Sequence, residues 1–215
     1  MSKVVIVTGA SRGIGADIAE TLARKGYTVI ANYNNSTECA NDLKERLWKD
    51  NIYIDIFKAD VSKRDEAKQL VNFVIEKYHK IDVLINNAGI DQIKLFTEIT
   101  DDDWESIIRN NLNSVFYMSQ EVVKYMIHKK RGNIINMSSV WGVKGASCEC
   151  SYSVSKAGVD AITKSLAKEL GPSNIKVNSI APGIIETEMN KFLSDKEKND
   201  IKDEIPLQKI GNVKM

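Results

Sequence analysis

The chain has 215 residues, of which 43% are hydrophobic and 27% are charged, as in an ordinary globular protein with a substantial core. Its 30 Lys and Arg residues nearly balance 29 Asp and Glu residues, so charge gives no reason to expect binding to nucleic acid or to an anionic membrane. No apolar run approaches the roughly 20 residues that a membrane-spanning helix needs. Three cysteines without metal-ligand spacing indicate reduced thiols, and we expect a cytoplasmic protein without a metal site.

Short apolar strands alternate with amphipathic helices along the chain, which is the pattern of βαβ units around a parallel sheet. The predicted strands lie at 4–7, 28–32, 52–59, 83–86, 133–137 and 176–180. The predicted helices lie at about 14–25, 36–48, 65–78 and 101–129, and a last long helix ends at 170. The fold class is therefore α/β, a Rossmann-type doubly wound parallel sheet flanked by helices on both faces, in a single domain over residues 1–215.

The helix predicted at 101–129 is apolar on more than one side, with Trp104, Phe116 and Met126 among its large side chains. One apolar side can cover the sheet. We expect the other side to cover a second subunit in a homodimer or homotetramer, although packing within one core would also explain it.

The first strand runs into a glycine-rich turn that opens the first helix, Thr8-Gly9-Ala10-Ser11-Arg12-Gly13-Ile14-Gly15. Glycines let the backbone approach a pyrophosphate closely, and the helix N-terminus adds free N–H groups and the positive end of the helix dipole. This turn, at this place in a βαβ unit, predicts a dinucleotide site. A tight turn without a ligand is the simpler alternative.

The end of the second strand bears on which dinucleotide binds. An NAD enzyme commonly has an acidic residue there for the ribose 2′-hydroxyl, but this chain reads Ala-Asn-Tyr-Asn-Asn-Ser over 31–36. Arg12 could bind a 2′-phosphate with charge-assisted hydrogen bonds, and Asn34 would not repel that phosphate. We therefore expect NADPH rather than NADH; the alternative is a solvated Arg12 and a site indifferent to the phosphate.

Tyr152 and Lys156 are four residues apart in the last long helix, so their side chains lie on the same face. A free phenol has a pKa near ~10, and a neighbouring ammonium is expected to lower it. The pair therefore predicts a general acid, with Ser139 upstream as its companion. Taken alone, a Tyr-x-x-x-Lys pair would be an ordinary surface pair.

These motifs occur together and in a fixed order: Thr8-Gly9-x3-Gly13-x-Gly15, Asn86-Asn87-Ala88-Gly89, Asn111, Ser139, Tyr152-x3-Lys156 and Pro182-Gly183. The set resembles that of classical short-chain dehydrogenases/reductases over essentially the whole chain. Within the family it is most similar to the 3-oxoacyl-[acyl-carrier-protein] reductases of bacterial fatty acid synthesis. The resemblance implies NADPH-dependent reduction of a ketone, with a 3-oxoacyl group carried on acyl carrier protein as the expected substrate.

The resemblance also implies the roles of the catalytic residues. Tyr152 would give a proton to the carbonyl oxygen, and Ser139, in preference to Ser138, would stabilise the charge that develops there. Lys156 would lower the pKa of the tyrosine and hold the nicotinamide ribose. Asn111 would anchor a water that links Lys156 to solvent, as the family's Asn-Leu pair selects it over the preceding asparagine.

The implied cofactor contacts lie after several of the strands. Asp60 would contact the adenine, and a cap for the following helix is the simpler interpretation of that residue. Asn87, Ala88 and Gly89 would line the adenosine ribose, and for Thr187 a helix cap is as plausible as a contact with the nicotinamide amide. The whole implied set is Gly9, Ser11, Arg12, Gly13, Ile14, Gly15, Asn34, Asp60, Val61, Asn87, Ala88, Gly89, Tyr152, Lys156, Pro182, Gly183, Ile185 and Thr187.

The substrate-side segment departs from the fatty-acid pattern. Residues 141–150 read Trp-Gly-Val-Lys-Gly-Ala-Ser-Cys-Glu-Cys, which is similar to the reductases that act on the 5-aminopentanone modification of elongation factor P. Glu149 would suit a cationic substrate, or it is a loop charge that faces water. The basic run 129–131 could dock an acidic carrier protein, but the second basic residue expected before strand six is absent.

Two further expectations concern the chain as a whole. Family members usually continue with another helix and strand beyond the point where this sequence stops at residue 215, so we expect an incomplete record. A non-catalytic dinucleotide-binding module is a hypothesis of another class, and the intact Ser139, Tyr152 and Lys156 set speaks against it.

Overall fold

The computed structural model describes residues 2–190 and 194–213. Six parallel strands form the central sheet in the order β3-β2-β1-β4-β5-β6, and two short strands form a second sheet, β7-β8. The strands are β1 (Val4–Val7), β2 (Thr28–Tyr33), β3 (Asp55–Lys58), β4 (Val83–Asn86), β5 (Gly132–Met137), β6 (Ile175–Ile180), β7 (Ile185–Glu186) and β8 (Gly211–Asn212).

Helices connect the strands. They are α1 (Gly13–Arg24), α2 (Thr37–Lys49), α3 (Arg64–Tyr78), α4 (Asp101–Ile108), α5 (Ser114–Lys129), α6 (Val140–Lys144), α7 (Cys150–Leu170) and α8 (Asp195–Glu204). Shorter 3-10 turns lie at Phe96–Glu98, Gly171–Ser173 and Glu188–Asn190. In the described part of the chain, no helix combines the length and apolarity needed to cross a membrane.

The sheet is buried on both faces. On one face, α3, α5 and α7 pack over Ile6, Leu84 and neighbouring apolar residues. On the other face, α1 and α2 pack over Val5 and Ile85. Because successive strand residues point to opposite faces, a doubly covered strand such as β1 is apolar throughout. The predicted Rossmann-type α/β fold is confirmed.

Two predicted elements differ in extent. Strand β3 spans Asp55–Lys58 rather than 52–59. The helix predicted at 101–129 is divided into α4 and α5 by a π-helical turn at Arg109–Asn113. The Ser114 N–H donates to the carbonyl of Arg109, five residues earlier, as in a π-helix. The Asn110 side-chain amide donates to the Ser106 carbonyl at 2.9 Å. Polar side chains that bond backbone carbonyls favour such a local widening of a helix.

The two apolar sides of this region have different environments. Met118 and Met126 of α5 are fully buried against the sheet. Trp104 and Phe116, on the other side, keep 39% and 43% of their surface exposed in the single chain. A second subunit over that side therefore stays a prediction.

The order of the strands reverses between β1 and β4, in the middle of the sheet. The connection after β1 leads to β2 on one side, whereas β4, its other neighbour, continues to β5 on the opposite side. In parallel sheets ligands bind at the carboxyl ends of strands where the strand order reverses in this way. The loops that follow β1 and β4 meet at that point.

Candidate active site

The glycine-rich turn after β1 packs directly against the loop after β4. Gly9 has a φ of +62°, and a Cβ atom there would lie 2.8 Å from the Cα of Ala88. A Cβ atom on Gly15 would overlap the Gly9 carbonyl oxygen and the Asn87 side-chain amide. The glycines therefore permit a turn so close to its neighbours that no larger residue fits.

Hydrogen bonds hold this turn in place. The Asn87 side-chain amide donates to the carbonyl oxygens of Thr8 and Gly9 at 2.9 and 3.0 Å. In return, the Thr8 hydroxyl accepts from the backbone N–H groups of Asn87 and Ala88 at 2.9 and 3.0 Å. Asn87 thus positions the turn, and its implied contact with the adenosine ribose stays a prediction.

Asn32 is a positioning residue that the sequence analysis did not single out. Its side-chain amide donates to the Ala59 carbonyl at 2.9 Å and to the Phe57 carbonyl at 3.2 Å, and its oxygen accepts from the Gly9 N–H at 3.5 Å. Only 2% of Asn32 is exposed. An amide within the apolar run of β2 was the available signal, because a buried polar side chain requires partners.

The first turn of α1 keeps donors available. Arg12 is its N-cap residue and makes no side-chain capping hydrogen bond. The Ala16 N–H donates to the Arg12 carbonyl, which is the first hydrogen bond of the helix. The N–H groups of Gly13, Ile14 and Gly15 therefore lie ahead of the first intrahelical bond. This set of donors fits the pyrophosphate of a dinucleotide.

The two residues expected to select the 2′-phosphate both lie at the surface. Arg12 is largely exposed, with Nη1 3.3 Å from a carboxylate oxygen of Glu188. Asn34, just beyond β2, is also exposed. Ser11, within the turn, is half-buried. Their contact with a 2′-phosphate stays a prediction.

Asp60 holds the turn before α3 and does not cap that helix. Its carboxylate accepts from the N–H and hydroxyl of Ser62 at 3.1 and 2.6 Å. The N-cap residue of α3 is Lys63, so the capping role considered for Asp60 was wrong. A carboxylate that bonds two residues ahead closes a turn of its own, which here precedes the helix. The adjacent Val61 is buried.

The segment after β6 faces the glycine-rich turn. The Pro182 carbonyl accepts from the Val140 N–H at 3.0 Å, which joins this segment to the start of α6. A Cβ atom on Gly13 would lie 3.7 Å from the Thr187 side chain. A cavity of about 380 Å³ is lined by Gly13 of the turn, by residues 184–190 and by Lys198 and Ile210. Gly183 is exposed and Ile185 is half-buried in β7. Segment 184–205 is also expected to form part of the substrate wall, and its residues 191–193 lie outside the described residues.

The structure brings Ser139 and Tyr152 together. Ser139 follows β5 and caps α6, where its hydroxyl accepts from the Trp141 N–H at 3.2 Å. The Ser139 hydroxyl lies close enough to the Tyr152 phenol to affect its pKa. Ser138 instead donates to Asp160 at 2.8 Å, so of the two neighbouring serines it is Ser139 that faces the phenol.

Lys156 lies beneath the phenol. Its ammonium donates to the Met137 carbonyl at 2.8 Å and lies 5.7 Å from the centre of the Tyr152 ring. A Cβ atom on Gly89 would approach this ammonium to 3.5 Å. Glycine after β4 thus leaves space beside the Lys156 ammonium, and the implied contact of Lys156 with the nicotinamide ribose stays a prediction.

The pKa of Tyr152 differs from the expected direction. Burial raises it to about 12; the nearby Ser139 hydroxyl opposes this rise, and Asp91 and Glu149 add to it. Lys156 is itself almost fully buried, and burial lowers its pKa to about 8. The pKa of Tyr152 thus lies above its ordinary value because loss of solvent dominates it, and the lowering by Lys156 stays a prediction.

Asn111 lies in the π-helical turn and is fully buried. Its amide donates to the Ile90 carbonyl at 2.9 Å and to the Ser155 hydroxyl at 3.1 Å, while its oxygen accepts from the Ile90 N–H. The oxygen also lies 3.2 Å from a Cβ position on Gly89, beside the Lys156 ammonium. Asn110 bonds within its own helix, so Asn111 is the asparagine that reaches the site.

Two carboxyl groups lie together beside Tyr152. Glu149 precedes α7, and its carboxyl is hydrogen-bonded to that of Asp91, in the loop after β4. Burial and then the nearby Asp91 charge raise the pKa of Glu149 to about 7, and burial raises that of Asp91. Asp91 was missed, because only the fold brings these distant positions together. The 141–150 segment around Glu149 begins as helix α6 rather than as a loop throughout.

The site thus combines a protonated phenol, a second hydroxyl, a buried lysine and a turn shaped for phosphate. A nicotinamide dinucleotide, when bound, would supply a hydride to this constellation. In the described residues, no group of three His, Cys, Asp or Glu side chains is arranged to hold a metal ion.

Comparison with known proteins gives consistent matches. The family model for short chain dehydrogenases matches residues 3–198. A 3-oxoacyl-[acyl-carrier-protein] reductase FabG of Thermotoga maritima is 41% identical over 209 residues, which is 97% of this chain and 85% of the relative. The FabG of Staphylococcus epidermidis (strain RP62A) is 38% identical over 98% of this chain and 86% of its own. An uncharacterized oxidoreductase of Bacillus subtilis, YmfI, is 36% identical with the same two coverages.

Proposed function

The chain belongs to the short-chain dehydrogenase family, a membership that implies a nicotinamide dinucleotide cofactor, and we propose that it is an NADPH-dependent reductase that converts a ketone to a secondary alcohol. The observation that carries this proposal is the grouping of three side chains, with the Ser139 hydroxyl beside the Tyr152 phenol and the Lys156 ammonium 5.7 Å from the centre of the phenol ring. Two neighbouring hydroxyl groups can both donate to the oxygen of a carbonyl group.

In the proposed mechanism the phenol holds the proton that the product needs. With a pKa of about 12, Tyr152 is protonated throughout the neutral range. It donates that proton to the carbonyl oxygen as the hydride arrives, while the Ser139 hydroxyl stabilises the negative charge on the same oxygen. Lys156 carries a positive charge that stabilises the phenolate left behind. We assign Asn111 to hold a water between Lys156 and solvent, through which the proton is replaced.

NADPH is the cofactor we propose. Support comes from the exposed Arg12 guanidinium beside the phosphate turn, and from the absence of an acidic residue at the end of β2, where Asn34 lies. Kinetic constants for NADPH and NADH measured side by side with one ketone test this choice. Preference for NADH would refute it.

The central test is Tyr152→Phe. Removal of the hydroxyl removes the proton donor, and we expect reduction to fall by at least about 10³-fold while NADPH binding stays within about threefold of wild type. Stopped assays give the rate, and fluorescence titration gives the NADPH affinity. Tyr53→Phe, at a tyrosine that is 71% exposed, is the matched control and should leave both unchanged. Normal turnover by Tyr152→Phe would end the proposal.

The substrate we place first is a 3-oxoacyl group on acyl carrier protein, because several relatives carry the corresponding name. The basic run at 129–131 is the candidate docking site for an acidic carrier. One of its three cations is already engaged, since Arg131 lies 2.7 Å from the buried carboxylate of Asp82. Lys129 and Lys130 are exposed and supply the remaining positive charge.

A second candidate substrate is a ketone that carries an ammonium group, such as the 5-aminopentanone modification of elongation factor P. The hydrogen-bonded carboxyls of Asp91 and Glu149 beside Tyr152 favour it, because an ammonium would stabilise both as carboxylates. A fatty acyl chain would gain nothing from two half-buried acids.

One comparison of rates separates these substrates. Purified enzyme is assayed on an acetoacetyl thioester of acyl carrier protein and on elongation factor P that carries the ketone. A kcat/KM at least about 100-fold higher on one of them identifies the substrate class.

A non-catalytic module predicts a different result. NADPH would bind, but its absorbance would not decay with either substrate or with a generic diketone.

We also propose a cytoplasmic homodimer or homotetramer. The free thiols of the three cysteines support the location, and the exposed apolar side chains of α4 and α5 support the assembly.

A further inference from the structure

Helix α7 carries a third functional group in line with Tyr152 and Lys156. Asp160 is four residues beyond Lys156, so it lies on the same side of the helix, one turn farther from the phenol. Its carboxylate accepts a hydrogen bond from the Ser138 hydroxyl at 2.8 Å. The same hydroxyl lies 3.3 Å from the Lys156 carbonyl oxygen. Ser138 therefore joins the end of β5 to both residues of α7.

We propose that Asp160 is a positioning residue of the catalytic site, whose carboxylate, held by Ser138, keeps Lys156 in its ammonium form. This inference rests on the proposed function, in which the cation stabilises a phenolate on Tyr152. Asp160 contacts neither substrate nor cofactor in this scheme. It acts through Lys156 alone.

The electrostatics of the site give Asp160 this role. Lys156 is 6% exposed, and a buried ammonium is destabilised unless a negative charge compensates it. Burial lowers the pKa of Lys156 to about 8, and Asp160 is the charged group that opposes this lowering. Asp91 and Glu149 face Tyr152 instead.

Other charged groups on the elements packed against α7 do not shift the pKa of Lys156. Exposed ones, which water screens from a buried site, are Glu105 of α4, Arg109 of the π-helical turn, Lys144 of α6 and Lys176 of β6. Glu121 of α5 is buried, but it is paired with Lys124. The charge state of Lys156 therefore depends on one carboxylate.

The consequence is a specific dependence on pH. An ammonium whose pKa is about 8 is mostly charged at neutral pH and loses its charge in mildly alkaline solution. Without the nearby carboxylate that loss would begin at lower pH, because an opposite charge shifts a pKa by about one unit or more. Loss of the Lys156 charge should appear as the fall of kcat/KM at alkaline pH, the alkaline limb of the pH profile. A general loss of structure would instead lower activity at every pH.

The test is Asp160→Asn, which retains size and hydrogen bonding but removes the charge. We expect the alkaline limb of kcat/KM to move about one pH unit downward, with activity at pH 6 within about threefold of wild type. Asp160→Glu should restore the limb at least in part. Glu169→Gln, at an exposed position of the same helix, is the matched control and should leave the profile unchanged. An unmoved limb in Asp160→Asn overturns the proposal.

A second variant and a second measurement keep the outcome decisive. If Asp160→Asn does not fold, Ser138→Ala is the second variant, because it keeps the Asp160 carboxylate but removes the hydrogen bond that holds it. We expect the alkaline limb to move in the same direction by a smaller amount. An unmoved limb again overturns the proposal. NMR titration of the lysine side chains follows Lys156 without any substrate. The inference is supported if Lys156 titrates at a lower pH in Asp160→Asn than in the wild type. If the wild type also reduces no ketone, the proposed function fails while the inference about Lys156 stands.

Discussion

Tyr152 and Glu149 are three residues apart, and burial raises the pKa of both, with opposite consequences. For the phenol, a pKa of about 12 preserves the proton that a reduction consumes. For the carboxyl, a pKa of about 7 places its titration in the physiological range. One half-buried environment thus yields a fixed proton donor and a group whose charge responds to pH.

This difference leads to a prediction for Glu149. As pH rises through 7, Glu149 loses its proton and its pair with Asp91 gains a second negative charge. We expect kcat/KM on an ammonium-bearing ketone to rise about threefold to tenfold between pH 6 and 8, and Glu149→Gln to abolish that rise. A neutral ketone should show no such rise. The measurement is a pH profile for each substrate.

The control is Glu38→Gln, an exposed carboxyl of α2, which should preserve the profile. A rise that persists in Glu149→Gln would assign the titration to another group and remove the support for a cationic substrate.

At the scale of elements, one buried carboxylate links the amino ends of three neighbouring strands. Asp82, just before β4, accepts from the Val4 N–H of β1 at 2.9 Å and pairs with Arg131, before β5, at 2.7 Å and with Lys80 at 3.0 Å. Burial pushes the pKa of Asp82 upward, but these hydrogen bonds outweigh it and hold the pKa below its ordinary value. The carboxylate therefore stabilises the contact between three strands.

Asp82→Asn should destabilise the fold by about 1–3 kcal/mol at pH 7, since buried donors lose their charged acceptor. Because the folded pKa is depressed, this stabilisation is present above the unfolded pKa near ~4 and is lost as pH falls through the folded pKa. The gap in free energy of unfolding between the two proteins should accordingly narrow below about pH 4. Urea denaturation across pH measures it.

Asp50→Asn provides the comparison, because Asp50 pairs with Arg24 at the surface and should cost less than about 0.5 kcal/mol. A gap for Asp82→Asn that does not change with pH would mean that lost packing, rather than lost charge, causes the effect.

At the scale of the whole molecule, two apolar cores lie on opposite faces of the sheet, and some large apolar side chains remain outside both. Phe116 of α5 is 43% exposed, and one part of its ring is covered by the Arg64 guanidinium at 5.5 Å from the ring centre. Trp104 of α4 is 39% exposed. Large apolar side chains left exposed on a helical surface are candidates for a subunit contact.

We expect Phe116→Asp to reduce the assembly to smaller species, because it removes an apolar ring from the interface and puts a charged group there that loses its water on association. Light scattering coupled to size exclusion measures the mass. Trp48→Asp changes an aromatic residue that is 62% exposed on the remote helix α2 and should leave the mass unchanged. A wild-type protein that is monomeric at micromolar concentration would refute the proposed assembly.

Periodicity and ordered motifs, which are local properties of the chain, sufficed to determine the alternation of strands and helices, the place of the glycine-rich turn and the spacing of Tyr152 and Lys156. The tertiary structure alone decided what depends on contact between distant segments. It paired Asp91 with Glu149, joined Ser138 to Asp160, and raised the pKa of Tyr152 rather than lowering it. The physical reason is that burial is set by packing, and the free energy of a charge depends on how much water the packing leaves around it.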